Sequence, residues 1–436
     1  MEMVGPKSGL MAVAGNAAER AERGAVASTV SGPIEHLAYF GTLGQMSEGD
    51  ADWPALNAGL QVLLLVDAWL SGNDASRASA YGISAVRSAI DVVPATVAAR
   101  QILSRIVDGC EATGEPDVHQ ISRHLMGYGR SLDYDGRYAL AADVYRALLA
   151  HLPPGAGADI AIDAEMRLGY CMRVQDDWAG AESAYARARE IAVARGDVSK
   201  AMHARIGDAA VAFARGNLPV AEAILDAVIV EAAAPDHADI RSMALHDRAL
   251  VAHWRGHYDQ AARLAYGALA LTRSLTARDR ILADLANAFV QLGVLDVARD
   301  SYMVLASTAQ EQYVRWLAMI NLLEISALQT NEAVFESYRA DLIGERLPPF
   351  LLAQYHYYTA FGYHAFGKNG VALRSLERAG ELAETHRYNQ LVFQAEELAA
   401  AIKRGAAAEQ RAARPAPAEL RDVTDAVSEM RQLAGV

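Results

Sequence analysis

The amino-acid sequence predicts an all-α protein, an α-solenoid in which antiparallel helix pairs stack one on the next. Three observations predict it. Much of the 52% hydrophobic content of this 436-residue chain is alanine, which has the highest helix propensity. Only 13 prolines occur, which leaves room for long helices. A short pattern of small, bulky and alanine residues recurs along the chain, as expected for stacked repeats.

The recurring pattern is a small residue, usually a bulky residue two positions later, and an alanine three positions after that. Successive alanines are 40, 40, 40, 37 and 74 residues apart. Because 74 is twice 37, one degenerate repeat is expected near Phe335. The small residue should close the turn between two helices, and where it is glycine it tolerates positive φ. The alanines of the pattern are Ala141, Ala181, Ala221, Ala261, Ala298 and Ala372.

A second small residue stands twelve positions before each of these alanines, at the predicted crossing point of the two helices. The repeat resembles the tetratricopeptide repeat, best at Gly169, Trp178, Ala181 and Tyr185, and the resemblance covers about residues 121–385. It implies a right-handed superhelix. The period of 37–40 exceeds the usual 34 or so, which longer helices explain. Similar long repeats occur in kinesin light chain, Rap-type peptide-pheromone receptors and bacterial transcription activators, and the residues do not select among these.

The sequence also predicts how the chain is divided. Residues 1–31 lack the continuous apolar core of a signal peptide and are expected to be disordered. Leu420, Val423, Val427 and Met430 recur on one helical face. This helix is expected to fold back onto the solenoid or to dock on a second copy, giving a homo-oligomer; a disordered tail is the alternative. The other parts are 32–115, degenerate helical repeats or a cap; 116–386, the repeat array; 387–404, a capping helix; 405–417, a linker; and 418–436, the amphipathic helix or tail.

Composition narrows the classes of partner. The formal net charge of −13 argues against a nucleic-acid-binding surface, which needs a basic stripe. The most apolar stretch, residues 60–70, is too short to span a bilayer. Two cysteines, Cys110 and Cys171, are too few for a disulfide framework and are expected to be reduced. The sequence therefore predicts a cytoplasmic protein that binds neither nucleic acid nor membrane.

No catalytic motif is recognisable in the sequence: there is no phosphate-binding loop, zinc-protease pair or nucleophile elbow. No cofactor and no metal are expected. His253 and His257 have the i, i+4 spacing that can chelate a metal on a helix. However, His257 follows the turn glycine, where a helix should end. The favoured interpretation is a groove-lining His253 and a solvent-facing His257.

The resemblance implies that the first helix of each repeat lines a concave groove. Positions three before, one after and four after the crossing residue then point inward. They are mostly apolar and aromatic and lack the lysines of a carboxylate clamp, so they suit a peptide with apolar anchors. The alternative, that such residues pack the core, stays open for each, and equally so for the stripe on residues 357–364. The candidates are Met126, Arg130, Met166, Tyr170, Arg173, Ile206, Phe213, His246, His253, Asn287, Tyr357, Phe361 and His364.

The leading functional hypothesis is a non-enzymatic interaction module or adaptor that binds a protein segment or peptide in this groove. A second hypothesis is a sensor, in which a ligand or peptide changes the superhelix and thereby controls a partner. A third, an enzyme, is disfavoured because no catalytic constellation is recognisable in the sequence.

Overall fold

The computed structural model describes residues 35–70, 80–111, 118–152 and 157–436. Within these residues the chain forms helices and turns and no strand, which confirms the predicted all-α repeat solenoid. The predicted disordered segment, residues 1–31, lies outside the described residues. The described chain falls into two compact units that divide between Gly216 and Asn217. None of the helices within the described ranges has the length and apolar character needed to cross a bilayer.

The first unit contains a short N-terminal helix, three further helices and then the beginning of the regular helix pairs. Its helices are α1 (Leu37–Leu43), α2 (Trp53–Leu70), α3 (Ala80–Val92), α4 (Ala98–Glu111), α5 (Val118–Tyr134), α6 (Tyr138–His151), α7 (Ala158–Val174), α8 (Trp178–Ala194) and α9 (Val198–Ala214).

The second unit continues with helix pairs and ends in two helices that follow the last pair. Its helices are α10 (Leu218–Glu231), α11 (Ala238–Trp254), α12 (Tyr258–Leu271), α13 (Leu275–Leu292), α14 (Leu295–Thr308), α15 (Gln312–Leu328), α16 (Glu332–Leu342), α17 (Pro349–Ala365), α18 (Asn369–Thr385), α19 (Asn389–Lys403) and α20 (Arg421–Ala434), with 3-10 helices at Pro235–His237 and Ala418–Leu420.

The turn inside each pair has the conformation that the sequence pattern requires. The five turn glycines of the pattern have φ between 75° and 78°, a region that residues with a Cβ atom rarely adopt. Asp176 takes the same place with φ 63° in the pair of α7 and α8. Since all six copies make the same turn, the repeat register derived from the sequence is right.

The small crossing residues make room for tyrosine rings. A Cβ atom added to Gly129 on α5 would lie 2.5 Å from the ring of Tyr145 on α6. Tyr185 on α8 fits against two glycines in the same way, Gly169 on α7 and Gly207 on α9, with corresponding distances of 2.7 and 2.6 Å. Tyr185 therefore joins its own helix pair to the first helix of the next one.

The degenerate repeat expected near Phe335 is the pair of α15 and α16. Phe335 occupies the position of the pattern's alanine and is fully buried. Its ring lies against Gly362 on α17, where a Cβ atom would collide with it. The rings of Tyr363 and Phe366 meet it edge-on, with centroids 5.8 and 5.2 Å away. The pattern is not recognisable here because the bulky Phe335 replaces the alanine. Gly362 on α17 leaves the room that its ring needs.

After α19 the chain turns back along the second unit. Residues 405–417, here called the strap, contain no helix. The backbone N–H of Arg411 donates to the carbonyl of Leu328 (3.1 Å), and that of Arg414 donates to the carbonyl of Gly293 (2.9 Å). These carbonyls lie at the ends of α15 and α13, so the segment expected to be a linker is bonded to the repeats.

The strap leads into α20, which packs against α12 and α14. The apolar stripe of the C-terminal segment faces these helices: Leu420, Val423 and Val427 are at most 1% exposed. Arg431 reinforces the contact by an ion pair with Asp300 on α14, at 3.2 Å. The structure therefore places α20 on second helices in the middle of the unit.

First and second helices have different neighbours. In the second unit, α11 contacts α13, α13 contacts α15 and α15 contacts α17, whereas the second helices pack mainly against first helices. In the first unit, α5, α7 and α9 contact one another in the same sequence. Within each unit, successive first helices therefore lie closer together than successive second helices do. The surface of the first helices that is turned away from the second helices is called the inner face below.

Candidate functional site

The candidate residues of the first unit lie on α5, α7 and α9 and differ in burial. Met126 and Ile206 are only 7% and 4% exposed, so they belong to the hydrophobic core. Arg130 is exposed. The half-buried candidates are Met166, Tyr170, Arg173 and Phe213.

Tyr170 and Arg173 form a small aromatic and cationic patch. The guanidinium carbon of Arg173 lies 5.4 Å from the centroid of the Tyr170 ring, within the range of a cation–π contact. Tyr138 meets Tyr170 edge-on at 5.8 Å, and burial raises the pKa of Tyr138 to about 12. The patch therefore combines the Arg173 cation and the Tyr170 ring with the phenol of Tyr138, which stays protonated at neutral pH.

In the second unit three candidates come together on α11 and α13. The His246 Nε2 atom lies 2.8 Å from Oδ2 of Asp284, whose carboxylate is mostly buried. His253, Asp284 and Asn287 line one cleft, together with Leu250 and Trp254 at its apolar edge. This cleft, defined by His253, Asp284 and Asn287, is called the polar cleft. All three residues lie on the first helices α11 and α13, and Ala261 and Ala265 of the second helix α12 complete the lining, so the cleft lies between these three helices.

The polar cleft contains acceptors fixed by their neighbours. The hydroxyl of Tyr302 donates a 2.5 Å hydrogen bond to Oδ1 of Asn287, which fixes the orientation of the amide. His253 is 6% exposed, and its ring lies edge-on to Tyr258 at 5.2 Å. Its buried Nε2 atom has no hydrogen-bond partner among the described residues. A buried polar atom without a partner is costly, so a group that bonded to this nitrogen would be stabilised there.

The pKa values of the two histidines of this region are shifted in opposite directions. Burial alone would lower the pKa of His246, but the bond to Asp284 and the Asp284 charge outweigh it, so the pKa is raised. Burial lowers the pKa of His253, and the charge of Asp284 compensates only in part. His253 is therefore neutral at pH 7, so one of its ring nitrogens can accept a hydrogen bond.

The polar cleft is small. Its volume of about 10 Å³ is close to what a single water molecule requires. It therefore cannot enclose a cofactor or a drug-sized ligand as it stands.

The candidates on α17 are placed differently. Tyr357, Phe361 and His364 are only 5%, 6% and 7% exposed. Nδ1 of His364 lies 2.8 Å from Oδ1 of Asn369, and the ring of Tyr357 meets that of Tyr358 edge-on at 5.2 Å. These residues share one helix but face neighbouring protein, so burial favours a packing role for the stripe.

Asp284 is the residue of the polar cleft that the sequence analysis missed. It lies two positions before the crossing residue Ala286, a position that was not assigned to the inner face. A signal for it existed, since the same position carries Asp247 and Asn321 in neighbouring repeats. Polar residues that recur at one repeat position on helices rich in apolar residues mark a shared surface.

The described parts of the chain contain neither a metal-binding cluster nor a reactive thiol. Those residues include no group of three or more histidine, cysteine or acidic side chains arranged to hold a metal ion. Cys110 and Cys171 are both free and buried. Burial raises the pKa of each thiol to about 12, so neither forms the reactive thiolate at neutral pH.

No protein-family model matches the sequence, and no curated protein matches it. Solved structures are similar in fold. The apo form of the quorum sensor NprR from B. thuringiensis is 14% identical, with 83% of this chain and 90% of that chain covered and a TM-score of 0.44. NprR in complex with its cognate peptide NprX is 14% identical, with coverages of 79% and 90% and a TM-score of 0.44.

A tetratricopeptide repeat protein from Parabacteroides merdae is 15% identical, with 63% of this chain and 98% of that chain covered and a TM-score of 0.41. The helix pairs and turns of this chain itself have the tetratricopeptide-like repeat that the sequence predicted. Because the TM-scores lie below 0.5, these likenesses carry no argument about what this chain binds. Its function has to be inferred from its own residues.

Proposed function

We propose that this chain is a non-enzymatic interaction module that binds a protein segment or peptide on the inner face of its second unit. The observation that carries the proposal is the polar cleft, which is lined by Asp284, by Asn287 and by His253, whose buried Nε2 atom has no partner among the described residues. The binding is proposed to occur in the cytoplasm, since both thiols are free. The net charge of −13 disfavours nucleic acid as the partner.

The edge of the polar cleft adds apolar contact area. Trp254 is 40% exposed, and Leu250 beside it is half-buried. Tryptophan residues at the centre of an interface often dominate binding energy, because a large rigid surface is desolvated at little entropic cost. The combination of an apolar edge and a small polar cleft suits a segment that places one polar group into the cleft and lays an apolar side chain beside it.

The experiment compares two substitutions in the full-length protein used as bait. Trp254→Ala removes the apolar edge of the cleft. Val230→Ala removes a side chain that is 76% exposed on α10 and is the matched control. Proteins captured by the wild type are quantified for each variant, after circular dichroism has shown equal helix content. The proposal expects selective loss of a partner with Trp254→Ala; equal capture by both variants contradicts it.

A second candidate function, a ligand-dependent sensor, is favoured by the strap. The strap is bonded to the carbonyl of Gly293, at the end of the helix that carries Asp284 and Asn287. A ligand that shifts α13 would therefore act on the strap and, through it, on α20. Hydrogen exchange of α20 with and without the identified partner tests this. Unchanged exchange in α20 on saturation would leave the adaptor function alone.

A further inference from the structure

We propose that the polar cleft binds a primary ammonium group, from a lysine side chain or from the amino terminus of a peptide. The inference rests on the proposed function, because it names the group by which the bound segment is recognised. It depends on three features of the cleft: the chemistry of its lining atoms, its charge and its size.

The lining atoms are acceptors. His253 contributes Nε2, which has no partner, and Asn287 contributes Oδ1, which accepts one bond from Tyr302 and has a second lone pair. Asp284 contributes a carboxylate with about four lone-pair sites, of which the bond to His246 uses one. An ammonium group has three donors and no acceptor. The three residues that line this small space together carry the acceptors that an ammonium group requires.

The charge of the cleft favours a cation. Asp284 lies in the cleft with 12% of its side chain exposed, and partial burial strengthens its attraction for a positive charge. The cation nearest to Asp284 is His246 when it is protonated, at 2.8 Å, so a ligand ammonium group shares the carboxylate with it. Arg280 is 53% exposed and lies 3.6 Å from Glu311, so it is held towards solvent by a carboxylate of its own. A ligand carboxylate would meet Asp284 and is disfavoured.

The size of the cleft separates the ammonium group from other cations. A volume of about 10 Å³ corresponds to one water molecule, and an ammonium group is a compact point charge of similar size. The guanidinium group of arginine is a wide planar fork and does not fit. The cleft is thus expected to discriminate between lysine and arginine.

The test uses small probes and the full-length protein with ¹⁵N-labelled histidine. N-acetyl-lysine methylamide carries only a side-chain ammonium, alanine methylamide carries only an α-ammonium, and N-acetyl-alanine methylamide carries neither. A saturable shift of the His253 Nε2 resonance is expected with at least one of the first two and not with the third. The probe that shifts the His253 resonance identifies the source of the ammonium group. No saturable shift with either probe means that water fills the cleft, and overturns the proposal.

Variants connect the shift to the cleft. Asp284→Asn keeps the size of the side chain and removes its charge, and is expected to weaken probe binding at least about tenfold, as for the loss of a charge-assisted hydrogen bond. Should that variant not fold, His253→Gln removes the imidazole instead, and lysine-probe binding is followed through the His246 resonance. His257→Gln is the matched control, because His257 is exposed at the start of α12. Equal binding by the cleft variants and the control contradicts the proposal.

The outcome is separable from that of the proposed function. If no ammonium probe binds but Trp254→Ala still loses a partner, the ammonium inference fails and the interaction module stands. If the ammonium probes bind and no partner depends on Trp254, the cleft is confirmed as an ammonium site and the proposed inner-face interaction fails.

Discussion

At the scale of single residues, glycine and tyrosine act as one packing unit. Tyr145 is fully buried against Gly129, and its hydroxyl donates to Oδ2 of Asp133 at 2.8 Å. The glycine gives up helix propensity, and the ring that replaces its missing side chain offsets this by burying a large apolar surface. The contribution of each residue to stability therefore depends on the presence of the other.

Two glycines on α5 allow a matched test of this packing. Gly129→Ala places a methyl group against the Tyr145 ring and should lower the free energy of unfolding by about 1–3 kcal/mol, as overpacking does. Gly127→Ala on the same helix meets nothing within 4 Å and should stabilise by roughly 0.5–1 kcal/mol through helix propensity. Urea unfolding of both variants measures the difference. Equal effects at the two positions would show that the Tyr145 contact is not tight.

The ionisation of His246 makes the stability of the second unit depend on pH, and the sign of this dependence follows from the direction of the pKa shift. Its pKa in the folded protein is raised by Asp284, with Asp247 adding to the effect and Arg280 opposing it. A raised folded pKa means that stability is fully present below the unfolded value of about 6.5 and is lost as pH rises through the folded value. Removing His246 should therefore cost more stability at acid pH than at alkaline pH.

The measurement is urea unfolding of the wild type and His246→Gln at pH 6 and pH 9. The stability difference between the two proteins should be larger at pH 6. His257→Gln, which removes an imidazole that is exposed at the start of α12, serves as the control for the loss of a histidine. A difference for His246→Gln that grows with pH would contradict the assigned ion pair with Asp284.

At the scale of helices, α20 covers part of the second-helix surface of its unit. Its buried residues Leu420, Val423 and Val427 are continuous with the core formed by α12 and α14. Val427→Asp introduces a charge into this contact and should detach α20, because burying an unpaired carboxylate is costly. Hydrogen exchange should then become faster in α20, α12 and α14.

The control for Val427→Asp is Ser428→Asp, which adds the same charge at an exposed position of the same helix. Sedimentation of both variants also tests whether exposed apolar surface leads to self-association. If Val427→Asp leaves the exchange of α12 and α14 unchanged, the contact with α20 contributes nothing to their stability.

At the scale of the whole molecule, stability in a repeat array comes from each repeat and its immediate neighbours. A substitution should therefore act locally. Gly129→Ala should raise hydrogen exchange in α5, α6 and α7 and leave α17 and α18 unchanged, since mutations at distant sites are independent. Exchange measured by mass spectrometry, with Gly127→Ala as the control, decides this. A uniform rise along the chain would mean that the chain unfolds as one cooperative body.

Much of this architecture could be predicted from the sequence, because each repeat shows the same pattern of residues at the same positions. Turn glycines, crossing glycines and buried alanines all recur at fixed positions, so errors in one copy are corrected by the others. Asp284 was not assigned although polar residues recur at its repeat position, because its contact with His246 on another helix does not show in the sequence. The path of the strap was equally hidden, because its backbone hydrogen bonds leave no side-chain pattern.

The position of α20 on α12 and α14 also fixes an order of events during synthesis. The ribosome makes α14 more than a hundred residues before it makes the helix that covers it. At about 5–20 residues per second, this delay lasts roughly 6–25 s. During that time the apolar surface that meets Leu420, Val423 and Val427 stays open to water and to other chains. The nascent protein is therefore expected to need shielding by a chaperone at this surface, and the mature protein does not.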